Sequence, residues 1–406
     1  MGSQLTSLEL NYGNNGRCEL NFAGRLEDRR HCGLAAVASL QSAVFASLGA
    51  PLEFPPIEQA IVVGDRVVLA VDPSIPQLGE VVAQVVLYLV GHGVDFSQIR
   101  IVLAGQDSAD VRSIERALCS VTDDPIEIET HDPDDSTKIA YVAASEAADP
   151  IYMSRSLVDA EVVIPITCAR CSDALDYFGM YTLFPRLSDR RTRGRFLDYS
   201  RLADAHAQAE LRNWADQAAW WVGLCVAIEV VPGANGTVAG VRAGTPYALE
   251  QAVQQDMRAA WHTVIDQPAE LVLALIDGVP AQQTWDNVGR ALHVARRAAA
   301  RGGAIVVCCQ LNTQPGRALM RLRDPNRNAD VLAKQLSNDS TDDALAAAVI
   351  LAAVQDHHVY LLSCLDNETI EDLGMGAISS SDQLEHLVAQ HSSCLILGTA
   401  QHRMVE

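Results

Sequence analysis

Short runs of apolar, β-branched residues recur along this chain between Ala-rich stretches of helical period. Residues 66–71, 99–104 and 161–166 form three such runs in the first half, and 270–276, 303–308, 359–362 and 394–397 form four in the second. Each is apolar nearly throughout, as strands covered on both faces are. Helical patterns fill the gaps at 78–91, 108–120, 287–301 and 342–355. Alternation of this kind predicts parallel sheets wrapped by helices. The division of the strands predicts two tandem α/β domains, Rossmann-like and mainly parallel, over 1–246 and 247–406, with a ligand cleft between them. Between the two sets, 207–221 reads as a helix, and 222–231 with 238–243 as a hairpin turning at Pro232-Gly233-Ala234-Asn235-Gly236. The polar stretch 324–343 predicts a flexible connection.

Composition narrows the partners. The chain has 406 residues, 49% hydrophobic and 20% charged, with a net charge of −21. That balance is globular, and the acidity argues against a nucleic-acid phosphate backbone or an anionic membrane as partner. No run reaches the roughly 18 apolar residues of a spanning helix. Residues 33–50 read as a helix packed on the first domain. The opening Met1-Gly2-Ser3 fits a myristoylation pattern too short to be specific. Ten cysteines in so long a chain predict reduced thiols and a cytoplasmic protein. Of the 30 basic residues only Lys138 and Lys334 are lysines.

In open α/β sheets ligands bind beyond the carboxyl ends of the strands. That rule selects the loops 72–77, 105–108 and 167–188. In order, these loops resemble those of the nickel-pincer lactate racemases, the LarA family, and the resemblance runs nearly end to end. Val71-Asp72-Pro73-Ser74-Ile75-Pro76 stands where the family has a strand ending in Asp-x-Thr-Arg-Pro. The segment 99–108 resembles the next strand and its Gly-x-His-Arg loop, and His131-Asp132 matches a His-Asp pair. Asp176-Tyr177-Phe178 and Ser188-Asp189-Arg190-Arg191-Thr192 resemble the cofactor loop and its exit. Asp277-Gly278-Val279-Pro280, Asp286-Asn287-Val288-Gly289-Arg290 and Gly302-Gly303-Ala304-Ile305 carry the match through the second half.

The resemblance implies a chemistry as well as a fold. Family members exchange a hydride with a nickel-bearing pyridinium nucleotide tethered to a lysine, while two histidines move the hydroxyl proton. Imidazole suits that task because its pKa lies near neutrality. A further histidine helps hold nickel, and an arginine clamps the substrate carboxylate. Position by position these groups are replaced here. The arginine falls at Ile75, the first histidine at Asp107 or Ser108, the second at Asp176, and the nickel histidine near Leu197. From Asp176 to Pro185 is nine positions, and the stretch missing from the family loop carries its glycines and its lysine. Neither Lys138 nor Lys334 looks like a substitute tether. No cofactor is therefore expected, and the nickel-pincer reaction is expected to be absent.

Polar groups remain on both expected walls. Asp72 and Ser74 stand on the first, with Arg186 near the cofactor loop; Asn287 and Arg290, three apart on one helix face, stand on the second. Together they predict a site for a small anionic ligand, with Arg290 the basic group expected to touch it. For Arg190 and Arg191 a surface salt bridge is the expectation. Three classes stay open: a non-catalytic member of the resemblance that binds a small anion or a protein partner; a racemase, epimerase or other enzyme using Asp107, Asp176 and Tyr177 as acid and base; and a metal or thiol protein at Cys168-Ala169-Arg170-Cys171, the chain's lone C-x-x-C. Cys308-Cys309 reads as buried filler. Trp214, Trp220, Trp221 and Trp261 are expected to pack between the domains, and His357-His358 to face solvent.

Overall fold

Val67–Val71 is the centre of the first sheet because every one of its residues is apolar and buried. The computed structural model describes residues 6–30, 33–146, 148–179, 181, 183–324 and 328–406; Met1, Gly2 and Ser3 lie outside them. The first six-stranded sheet runs in the order Val238–Gly244, Ala227–Pro232, Val162–Cys168, Val67–Val71, Ile99–Leu103, Glu127–Thr130. Its strands are parallel except the hairpin partner Val238–Gly244. The second runs Gly376–Ile378, His358–Leu362, Ala299–Cys308, Ala269–Leu275, Ser393–Leu397, Arg25–Arg29, all parallel.

The apolar runs thus become strands within a few residues of their expected ends, and Leu78–Gly91 becomes a helix at its expected bounds. Two segments depart from a division at 246. Arg25–Arg29 extends the second sheet, pairing with Ser393–Leu397. Its sequence, Arg-Leu-Glu-Asp-Arg, has almost nothing apolar to announce it, because an edge strand is held by backbone bonds. The preceding hairpin, Thr6–Tyr12 with Gly16–Phe22, packs Leu10, Leu20 and Phe22 on the same sheet. Conversely, Pro246–Trp261 lies on the first sheet, where Leu249, Val253 and Met257 meet Ala227 and Val231.

Other expectations shift with burial. The polar stretch 324–343 contains a helix, Ala329–Ser337, capped by Asn328 and anchored by Leu332 and Leu336 one turn apart. Trp214 and Trp261 are buried, but Trp220 and Trp221 at the end of Ala205–Trp221 are 69% and 49% exposed. One continuous apolar core joins the first sheet, through Phe178, Phe184 and Phe196, to the helices Trp285–Ala298 and Ala344–Asp356 of the second. Among the described residues no helix is long and apolar enough to cross a membrane.

Candidate functional site

The strand ends of the two sheets converge on a cavity of ≈ 240 Å³. Asp72 follows the central strand directly, and Arg170 follows Val162–Cys168 by two residues. From the other side comes Trp285–Ala298, whose Thr284 cap accepts a hydrogen bond from the Asn287 amide at 3.2 Å. That cap fixes the first turn, so Asn287 and Arg290 both point inward and are buried.

These residues form one ion network. Asp176 is buried and takes a bidentate grip from Arg290, whose Nε and Nη2 donate at 3.1 and 2.6 Å. Arg186 Nη2 donates to the same carboxylate at 3.1 Å, and Arg170 Nε lies 3.5 Å from it. Arg170 turns its Nη2 to Asp72 at 3.0 Å and to the Ser74 hydroxyl at 2.7 Å. The Ser74 hydroxyl in turn donates to Asp72 at 2.7 Å. Arg290 Nη1 donates to Asn287 Oδ1 at 2.6 Å, and the side-chain Nδ2 of Asn287 donates to the Gln282 backbone carbonyl at 2.6 Å.

Charge follows from that geometry. Burial alone would raise the carboxyls of Asp176 and Asp72. Arg170 and Arg290, with Arg186 behind them, hold Asp176 well below the usual carboxylate range. Arg170 and Arg186, with the Ser74 hydrogen bonds, bring Asp72 to about 2. His402, behind this cluster, is pushed down to about 3 by burial and by Arg290 and Arg170, so it is neutral. Asp176 is therefore a fixed anion near neutral pH, unable to trade a proton there.

All five expected ligand-binding residues, Asp72, Ser74, Arg186, Asn287 and Arg290, are brought together, but Arg290 is committed to Asp176 rather than held open. Asp107 caps Ser108–Leu118, accepting from the Ala109 amide at 2.8 Å, and lines the cavity. Tyr177 points elsewhere: its hydroxyl donates to Glu250 at 2.9 Å, and Arg212 stacks on its ring at 5.0 Å. Burial and Glu250 raise its pKa, which leaves it a poor base. Ile75 belongs to the apolar core under the first sheet, and Leu197 is an apolar part of the cavity wall.

Cys168 and Cys171 are buried, with thiols pushed up to about 12 chiefly by burial. Among the described residues no group of three or more His, Cys, Asp and Glu side chains is placed to hold a metal. The residues present also fit the pincer nucleotide poorly. Lys138 pairs with Glu129 at 3.7 Å, Lys334 sits on Ala329–Ser337, and neither lines the cavity. Arg190 forms the expected surface pair, with Asp134, at 2.5 and 2.6 Å.

Sequence reasoning passed over Arg170, read only as the interior of a cysteine motif, and two cavity residues, Arg193 and Asp110. Arg193 lies on Arg190–Phe196, with a side chain 14% exposed; it pairs with Asp342, which is 70% exposed. Its Nε is buried without an acceptor. Burial, with Arg186 and Arg190 adding repulsion, pulls its guanidinium below the ordinary value despite Asp342. Asp110 lies on the inward face of Ser108–Leu118. Helical spacing from the buried Ile114 and Leu118 was the signal for Asp110; Arg193 had none beyond its place between Arg190 and Phe196.

With this geometry in hand, solved structures give a clear match. Lactate racemase apoprotein from Thermoanaerobacterium thermosaccharolyticum superimposes with a TM-score of 0.80, covering 99% of this chain and 100% of that one at 13% identity. The fold is similar to that of lactate racemase. A protein from Thermotoga maritima matches with a TM-score of 0.65 and 12% identity, covering 90% of this chain and 97% of its own. No sequence-family model matches the chain, and no curated protein matches it in sequence. The lactate-racemase-like scaffold of two mainly parallel α/β halves is thus established, at identities that speak for the fold alone.

Proposed function

We propose that this protein uses a lactate-racemase-like scaffold to bind a small anion-bearing molecule in the cleft, without nickel-pincer racemisation and without a lysine-tethered nucleotide. The observation that carries this reading is the division of labour among the arginines in and behind the cavity wall. Arg170 and Arg290 are spent on Asp72 and Asp176, which fixes the walls. Arg193 lines the cavity with only a solvent-screened carboxylate, Asp342, as its ion-pair partner among the described residues. A carboxylate or phosphate entering beside Arg193 and Arg186 competes only with solvent-screened carboxylates for their exposed guanidinium nitrogens, and charge-assisted bonds of this kind contribute about 1.5–3 kcal/mol. With no bidentate clamp at Ile75, affinity for a minimal hydroxy acid is expected on the order of millimolar.

Calorimetric titration with lactate and with inorganic phosphate tests the reading. Binding that Arg193→Gln abolishes supports it, and no heat from either anion overturns it. Chiral analysis of each lactate enantiomer after long incubation accompanies the titration. A second reading, acid–base catalysis on the same scaffold, draws on Asp110, whose carboxyl is raised to about 6 by burial and by Asp107 and Asp72. Interconversion above the enzyme-free control would select it. Intact mass after coexpression with cofactor-maturation enzymes is expected to equal the bare polypeptide; an adduct on Lys138 or Lys334 contradicts that.

A further inference from the structure

Three of the carboxylates lining the cavity have a guanidinium partner: Asp176 has Arg290, Asp286 has Arg186 and Asp342 has Arg193, while Asp72, buried behind the wall, has Arg170. Asp110 has none. It is 9% exposed, lines the cavity, and makes no hydrogen bond or ion pair with any described residue. Its placement follows from the helix. Asp110, Ile114 and Leu118 form the buried face of Ser108–Leu118 at successive turns. Ile114 and Leu118 pack into the apolar core beneath the first sheet, while the first turn projects past the strand ends and carries Asp110 over the cavity. Asp107, also lining the cavity, spends one oxygen on capping the helix and has no basic partner among the described residues. An ionised carboxylate largely withdrawn from water without a counter-charge is costly, and stable interiors avoid it.

The cavity therefore has a basic pole and an acidic one. Arg193 and Arg186 mark one, and Asp110 with Asp107 marks the other. We propose that the ligand is a zwitterion: its anionic group sits at Arg193 and Arg186, and its ammonium completes Asp110. This rests on the anion-binding reading above and adds the opposite pole to it. The small volume favours an amino acid or similarly compact amine-bearing acid over a larger molecule.

The test is a matched calorimetric panel on the full chain: glycine, β-alanine and γ-aminobutyrate, each beside its deaminated acid, namely acetate, propionate and butyrate. At least one amino acid is expected to bind about tenfold more tightly than its own acid, the ordinary effect of one charge-assisted hydrogen bond. Asp110→Asn should reduce that amino acid to the affinity of its acid and leave the acid unchanged. Acids that bind as well as their amino counterparts overturn this inference and leave the anion reading standing. A preference that survives Asp110→Asn overturns it too. If neither set binds, both readings fail. The wild-type comparison decides the matter alone should the variant fail to fold, and Asp107→Asn, expected to weaken the preference only in part, gives a second variant.

Discussion

Replacing Asp176 by Asn keeps the side chain's shape and removes the charge on which three arginines converge. Arg290 loses its anion and one of its two contacts there, at 3.1 and 2.6 Å, because one carboxylate oxygen becomes an NH2 donor; the amide oxygen and Asn287 Oδ1 remain as neutral acceptors. Arg170 retains Asp72, and Arg186 retains Asp286, so the main damage is one buried guanidinium, 8% exposed, left without its anion. Breaking a buried pair by removing one partner costs about 3–5 kcal/mol. With a urea slope of about 3 kcal/mol/M, the unfolding midpoint should fall by about 1–1.7 M. Removing the second charge as well, in Asp176→Asn with Arg290→Met, should recover at least half of that loss, because desolvating the orphaned guanidinium is the larger cost. Urea titrations of wild type, both single variants and the double variant close the cycle. A single-variant loss below about 1 kcal/mol, or a double variant no better than Asp176→Asn, refutes the claim that this carboxylate anchors the cleft.

Other groups give independent tests. Asp110 has a folded pKa raised to about 6 from 3.8, so its charge opposes folding above that range and has no effect well below it; Asp110→Asn should stabilise the protein by about 1–3 kcal/mol at pH 8 and leave stability unchanged near pH 3. Glu229, buried beside Thr167, is raised to about 7 from 4.5, chiefly by burial; stability should fall as pH rises from about 5 through 7, and Glu229→Gln should flatten that part of the urea-midpoint profile. In a native thiol titration Cys119, Cys225 and Cys364 should react quickly, while Cys168, Cys171, Cys308, Cys309 and Cys394 wait for unfolding; rapid labelling of Cys168 or Cys171 contradicts their burial.

The sheets were legible because their central strands are buried on both faces and therefore apolar in an unbroken run, as Val67–Val71 is. Arg25–Arg29 and Glu127–Thr130 were not, since an edge strand needs only backbone pairing and its side chains are free to be polar. The candidate site was legible as a list of strand-end residues and illegible as a network. Asp176 and Arg290 are 114 positions apart, and their mutual commitment is a property of how the two halves pack. Arg170 was hidden for a different reason: flanked by two cysteines, it read as spacing inside a motif, whereas its guanidinium bridges Asp72 and Asp176. The unpaired carboxylate Asp110 is visible only by subtraction, once Asp176, Asp286 and Asp342 have been given their arginines.

The central claim is that the cleft keeps one set of arginines for itself and offers another to a ligand. Nitrogen-detected NMR of the arginine Nε–Hε groups, assigned through Arg193→Gln and Arg290→Met, tests it most directly on titration with lactate. The Arg193 resonance should move saturably while that of Arg290, held by Asp176, stays in place. A saturable shift of Arg290 with Arg193 unmoved would contradict the account.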